Sequence, residues 1–146
     1  MSRASLVDKE IDPAVLIAEV RHQRYGAVAS FIGTVREVNG GRPVSGIDYS
    51  AYMAMAQGEM DRILAEAESR LGVGAIVVEH RLGSLQLGDI SIAIVAAHEH
   101  RDPALDATRF VIEQIKTRVP IWKLEHYVDG AREWVDPTQS TGVTSA

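Results

Sequence analysis

The sequence predicts an α+β fold, a mixed or mostly antiparallel sheet carrying about three helices, and three observations predict it. Met60, Ile63, Leu64, Ala67 and Leu71 recur at the spacing of one helix face. Apolar, β-branched runs over residues 27–35, 75–82 and 90–97 read as strands. Two Asp-Pro pairs, Asp12-Pro13 and Asp102-Pro103, mark helix starts. The elements then follow as β-α-β-β-α-β-β-α-β-β, an order that suits a sheet with its helices on one side.

Each element has its own signal. Residues 4–7 form a short strand. Asp12 caps a helix over 13–24, where Pro13 costs nothing because a first-turn amide has no partner, and Gly26 breaks it. The strand over 27–35 ends in Gly33-Thr34-Val35-Arg36. Residues 37–43, with Gly40-Gly41 and Pro43, read as the strongly flexible internal loop. Residues 45–52 alternate as a strand, and Gly72 and Gly74 close the helix that carries Met60. A strand over 75–82, a turn at Leu87-Gly88-Asp89 and a strand over 90–97 come next. Asp102-Pro103 starts the third helix, which stops near Arg118 because Pro120 disfavours helical geometry in the residue before it. Residues 121–127 and 131–135 flank Asp129-Gly130, a hairpin signal.

The 146 residues suit a single domain over 1–136, with a small, polar, flexible tail over 137–146. A net charge of −5 and few aromatic residues argue against nucleic acid as a partner. No apolar run reaches the length of a membrane span, so the expected address is the cytoplasm. The chain has no cysteine, which excludes disulfides, thiolate metal sites and a cysteine nucleophile. Any sulfur chemistry would have to use sulfur that another molecule supplies.

Lysine is scarce. Lys9, Lys116 and Lys123 stand among 15 basic residues, and two of the three fall in the stretch over 116–123. Lys116 closes a helix, where favourable interaction with the dipole would explain it. Lys123 lies between Trp122 and Leu124, either facing solvent or doing chemistry. A partly buried lysine suits anion neutralisation and proton transfer. A second group, His98-Glu99-His100-Arg101-Asp102-Pro103, sits where a strand meets a helix N-terminus, a place that favours anions. Its rival readings are structural histidines and a metal site on His98 and His100, with His80 or His126 as a third ligand. Arg36 ends a strand as a solvated charge or a binding residue. Arg101 and Lys116 are separated by roughly 22 Å of helix at ~1.5 Å per residue. One chain therefore has two sites, or a symmetric dimer joins one chain's His100-Arg101 to the other's Lys116-Lys123.

These residues, taken together, resemble a known family. Phe31-Ile32-Gly33-Thr34-Val35-Arg36, Tyr49-Ser50-Ala51-Tyr52-Met53-Ala54-Met55-Ala56, His80-Arg81-Leu82-Gly83-Ser84-Leu85 with Gly88-Asp89, the segment over 97–101, and that over 116–123 with Trp134 are similar to the large, catalytic subunit family of molybdopterin synthase. The resemblance spans residues 7–135. It implies an α/β hammerhead-type fold with an additional small sheet and no cofactor. It also implies a homodimer within a heterotetramer, each end binding a small ubiquitin-like sulfur-carrier subunit. The carrier's C-terminal thiocarboxylate would deliver sulfur to cyclic pyranopterin monophosphate, forming the dithiolene of molybdopterin. By the same resemblance Lys116 and Lys123 are catalytic, and Thr34, Val35, Arg36, His100, Arg101, Lys116, Lys123, Leu124 and Glu125 bind substrate. Two departures stand out: His98 precedes the family's single histidine, and a basic residue after the final tryptophan is either missing or replaced by Arg132. A non-catalytic module that docks a ubiquitin-like partner is the alternative reading, and a histidine-ligated metal hydrolase using His98, Glu99 and His100 a third.

Overall fold

The computed structural model describes residues 1–72 and 74–135. Its elements are β1 (Ser2–Val7), α1 (Pro13–Val20), β2 (Ala27–Thr34), β3 (Val38–Asn39), β4 (Arg42–Ala51), α2 (Met53–Leu71), β5 (Ala75–Arg81), β6 (Gly83–Gln86), β7 (Ile90–His98), α3 (Arg101–Arg118), β8 (Ile121–Tyr127) and β9 (Arg132–Val135). The α+β class, the three helices and the second sheet are as the sequence leads one to expect. The expected tail lies outside the described residues.

The first sheet has the order β1-β5-β7-β2, with β1 parallel to β5 and the other neighbours antiparallel. Ile76, Val78, Ile94 and Ala96 face α2 and α3, packing with Met60, Ile63, Ala107 and Val111. Val77, Ala93, Val95 and Ala97 point the other way, onto Leu16 and Val20 of α1. Helices therefore cover both faces, which corrects the expectation of helices on one side. A strand that is apolar at every position exposes an apolar face unless it is covered twice.

Helix α1 is shorter than expected. The Asp12 carboxylate accepts from the Ala14 N–H at 3.0 Å, as a cap should. The helix nevertheless stops at Val20, and Arg21 turns extended at ψ 134°. Residues 21–24 are exposed and offer no apolar face to dock, so nothing repays a further turn. Helix α3 begins earlier than its Asp-Pro pair suggests. His100 is the N-cap, and Asp102 lies in the first turn, where a carboxylate still complements the dipole. Its other end falls at Arg118 as Pro120 requires. There Arg118 donates to Glu59 and Glu66 of α2, each at 2.7 Å, anchoring the helix end that carries Lys116.

The second sheet has the order β3-β4-β8-β9, with β6 also paired to β4. The supposed flexible loop over 37–43 is a hairpin. Asn39 pairs with Arg42 across Gly40 and Gly41, whose φ values of 58° and 82° are open to glycine at little strain. Two-residue β3 is too short to show alternation. Likewise β6 buries only Leu85 of its four residues and gives no strand pattern. No helix among the described residues is long and apolar enough to cross a membrane.

Candidate active site

Strand β8 buries every second residue, so Ile121, Lys123, Glu125 and Tyr127 share its inner face. Lys123 is only 4% exposed and Glu125 only 1%. The solvent-facing reading of Lys123 is thus corrected. From the end of α3, Lys116 reaches the same cleft, which is lined further by Tyr49 of β4, His80 of β5, Ser91 of β7 and Ile121. The cleft, partly open to solvent, narrows to a space of about 40 Å³. That admits a water or the end of an extended chain, but no ring system.

Burial and like charge push the lysines toward the neutral amine. Lys116 is lowered from 10.5 to about 8, first by burial and then by Lys123 and Arg36. Its position near a helix C-terminus is therefore not explained by the dipole alone. Lys123 is lowered chiefly by burial; Glu125 works against the shift and Arg36 adds to it. A lysine poised near 8 can give and take protons close to neutral pH. Burial likewise pushes the Tyr49 phenol up and His80 down to about 4. The Tyr49 and His80 rings meet edge-on at 5.1 Å.

Glu125 ties the cleft to the β3–β4 hairpin. Asn39 Nδ2 donates to both of its carboxylate oxygens at 2.7 Å, and the Tyr127 hydroxyl donates at 3.1 Å. Sequence reasoning missed Asn39, because an asparagine before two glycines reads as turn chemistry. It missed His80 as a cleft residue as well. The two-residue period of β5, which places His80 on the face of Ile76 and Val78, was the available signal.

The other candidates are spread more widely. Arg36 is exposed just beyond β2, and its charge bears on both lysines. Thr34 is exposed at the end of that strand. Val35 is buried, its N–H donating to the Asp89 carbonyl at 3.0 Å and its carbonyl accepting from Gly88 at 2.8 Å. Leu124 alternates with Lys123 and Glu125 and so faces the other side of β8. His100 and Arg101 are exposed at the far end of α3, and one chain does not bring them to Lys116. His98 Nδ1 accepts the His100 N–H at 2.9 Å, so it serves the backbone of the α3 cap. His80 lies in the lysine cleft, and His126 Nε2 pairs with Asp48 at 2.8 Å. The four histidines weighed as metal ligands therefore do not converge. Among the described residues no group of three or more His, Cys, Asp or Glu is placed to hold a metal. The charge of Arg132 bears on Asp48.

The fold defines the class, for the solved structures that share it include a molybdopterin synthase. The chain is 33% identical to the Staphylococcus aureus molybdopterin synthase structure, with a TM-score of 0.83 over 89% of this chain and 94% of that one. A Helicobacter pylori chain, solved in a complex of subunits 1 and 2 of molybdopterin-converting factor, shares the fold at 22% identity and a TM-score of 0.74, covering 94% of this chain and 92% of that one. Residues 6–118 match the family model described as MoaE protein. The molybdopterin synthase catalytic subunit of Synechococcus elongatus is 47% identical over 125 residues, 84% of this chain and 76% of its own. The chain belongs to this family, the catalytic subunits of molybdopterin synthase, and is an enzyme.

Proposed function

We propose that this chain transfers sulfur from the C-terminal thiocarboxylate of a small ubiquitin-like carrier to cyclic pyranopterin monophosphate, forming the dithiolene of molybdopterin. The observation that carries this reading is the buried pair Lys116 and Lys123 in a cleft wide enough for a chain end and too narrow for a pterin. A carrier tail threaded there would meet the lysines, while the ring system stays at the mouth. A chain without cysteine suits sulfur that arrives on a partner.

In this reaction the thiocarboxylate sulfur bonds to a substrate carbon as a carbon–oxygen bond of that carbon breaks and the oxygen departs with a proton, leaving a thioester between carrier and substrate. Water then attacks the acyl carbon, and negative charge gathers on the carbonyl oxygen. Collapse leaves the sulfur on the substrate and a carboxylate on the carrier, and a second thiocarboxylated carrier repeats the exchange at the neighbouring carbon to give the two sulfurs of the dithiolene. Lys123, supported by the Glu125 charge beside it, stabilises the oxyanion. Lys116 accepts the proton of the attacking water and passes it on. Arg36 and Thr34 receive the phosphate end at the mouth. Val35 and Leu124, whose side chains do not line the cleft, contribute backbone contacts.

His100 and Arg101 enter the same site only from a second protomer. A twofold homodimer within a heterotetramer would bring His100 of the partner subunit to Lys116, making two composite sites at once. A cytoplasmic address belongs to the same proposal.

The test combines the purified chain, thiocarboxylated carrier and the pyranopterin. Dithiolene product is expected, and its absence overturns the reading. Lys116→Ala should lower turnover at least ~100-fold with the melting temperature unchanged. Unaltered turnover would remove Lys116 from its role.

A further inference from the structure

Asn39 sends its side chain from the β3–β4 hairpin to the buried Glu125, and the reaction above gives it no task. Its Nδ2 donates to both Glu125 oxygens at 2.7 Å, joining residues 86 positions apart in the chain. An asparagine that served only the turn would bond backbone within a few residues. Its own Oδ1 is buried and makes no hydrogen bond. Turning the amide over would set that oxygen against the carboxylate, so Glu125 dictates which end faces it. A buried acceptor without a partner costs stability, and such a cost is commonly tolerated where function holds the side chain in place.

The hairpin grips β8 at a second point. Arg42, which pairs with Asn39 across the hairpin, places Cζ 3.5 Å from the centre of the Tyr127 ring and donates to Glu133 at 3.0 Å. The Tyr127 hydroxyl in turn donates to Glu125 at 3.1 Å. The negative charge so held bears on Lys123, Tyr49 and Tyr127. Lys123 lies two residues from Glu125 on the same inner face of β8.

We infer that Asn39 is a positioning residue that acts on Lys123 through Glu125, fixing that carboxylate as the lysine's counter-charge. The inference rests on the proposed sulfur transfer for its purpose, though not for its test. A glutamate side chain is flexible, and burial alone does not decide where its charge stands. One amide donating to both oxygens decides it. The anion then favours Lys123 as the ammonium that an oxyanion needs, against the burial and the Arg36 charge that favour the amine. The charged and titratable groups that face Lys123 are Glu125 on β8, Lys116 on α3, Arg36 after β2, Tyr49 on β4 and His80 on β5.

The experiment follows Lys123 against pH by carbon NMR of the intact chain labelled in its lysine side chains. The chain has only three lysines, and Lys123→Met assigns the signal. The unaltered chain is compared with Asn39→Leu, Glu125→Gln and the double variant. Glu125→Gln should lower the Lys123 midpoint by about one unit, because the counter-charge is gone. Asn39→Leu should lower it by about half a unit or more, because the carboxylate is no longer held. The double variant should stay within about 0.2 unit of Glu125→Gln, since Asn39 then has no charge to position. With carrier and substrate present, Asn39→Leu should lose about tenfold in kcat with KM unchanged, and the double variant should fall no further than Glu125→Gln. An unmoved Lys123 midpoint in Asn39→Leu, or shifts that add in full in the double variant, would overturn the inference. If Asn39→Leu does not fold, Asn39→Ser replaces it, because the shorter side chain cannot bridge both oxygens; an unmoved midpoint there refutes the role. The titration needs neither carrier nor pterin, so a failure of the sulfur-transfer reading shows separately, as missing dithiolene product from the unaltered chain.

Discussion

Strands β7 and β8 both flank α3, yet they bury opposite kinds of side chain. From Ser91 to Ala97, β7 is buried without a break and carries nothing charged. Strand β8 buries alternate residues, and two of its four buried positions are Lys123 and Glu125. A strand covered on both faces has no route to water for a charge, whereas one lining a cleft can present a cation to a guest. The difference separates the part of the molecule that holds it together from the part that does chemistry. Protonation perturbed first by burial gathers around the second part, at Tyr49, His80, Lys116, Lys123 and Tyr127, as it does at functional sites generally.

The sharpest way to break that contrast is Lys123→Met, which keeps the bulk and removes the buried charge. Turnover should fall ~100-fold or more through loss of oxyanion stabilisation. The melting temperature should hold or rise, because no ammonium then has to be desolvated. Dithiolene formation and thermal melting measure the two effects, and a parallel loss of both would make Lys123 a structural residue.

Ile94→Ala probes the other strand. Ile94 is fully buried, and its truncation should cost about 2–5 kcal/mol in a urea titration. Activity per folded molecule should not change. A fall in kcat at saturating carrier and substrate would show that the core and the cleft are not separable.

The smaller effect is acid sensitivity. His80 takes its proton near 6.5 when unfolded and only near about 4 in the folded chain. Between those values the unfolded chain binds the extra proton, so stability falls as the pH drops from 6.5 toward 4. The loss from this residue should approach about 3 kcal/mol and flatten below pH 4. Urea titrations across that range should show a shallower slope in His80→Gln. An unchanged slope would mean that His80 is not the group responsible.

Much of the fold was legible because its signals are local. The Met60 stripe, the Asp12 cap and the stop imposed by Pro120 each act within one or two turns. The hairpin over 38–43 was hidden because glycine and proline advertise flexibility, while its pairing depends on β4 and on the distant Glu125. The placement of α1 was misread for a related reason: periodicity reports that a face is apolar, not which layer covers it.

The candidate site divides along the same line. Scarcity of lysine, the Lys116–Lys123 interval and the missing cysteines are properties of the chain as written, and they already narrowed the chemistry to cations awaiting a guest. That Lys123 points inward, that His80 from a different sheet joins it, and that Arg36 lowers both lysines were decided by strand register and sheet packing. Periodicity assigns a side chain to a face. Only the packed molecule sets how much water remains around it and which charges stand beside it, and those two quantities govern whether a lysine at neutral pH can part with its proton.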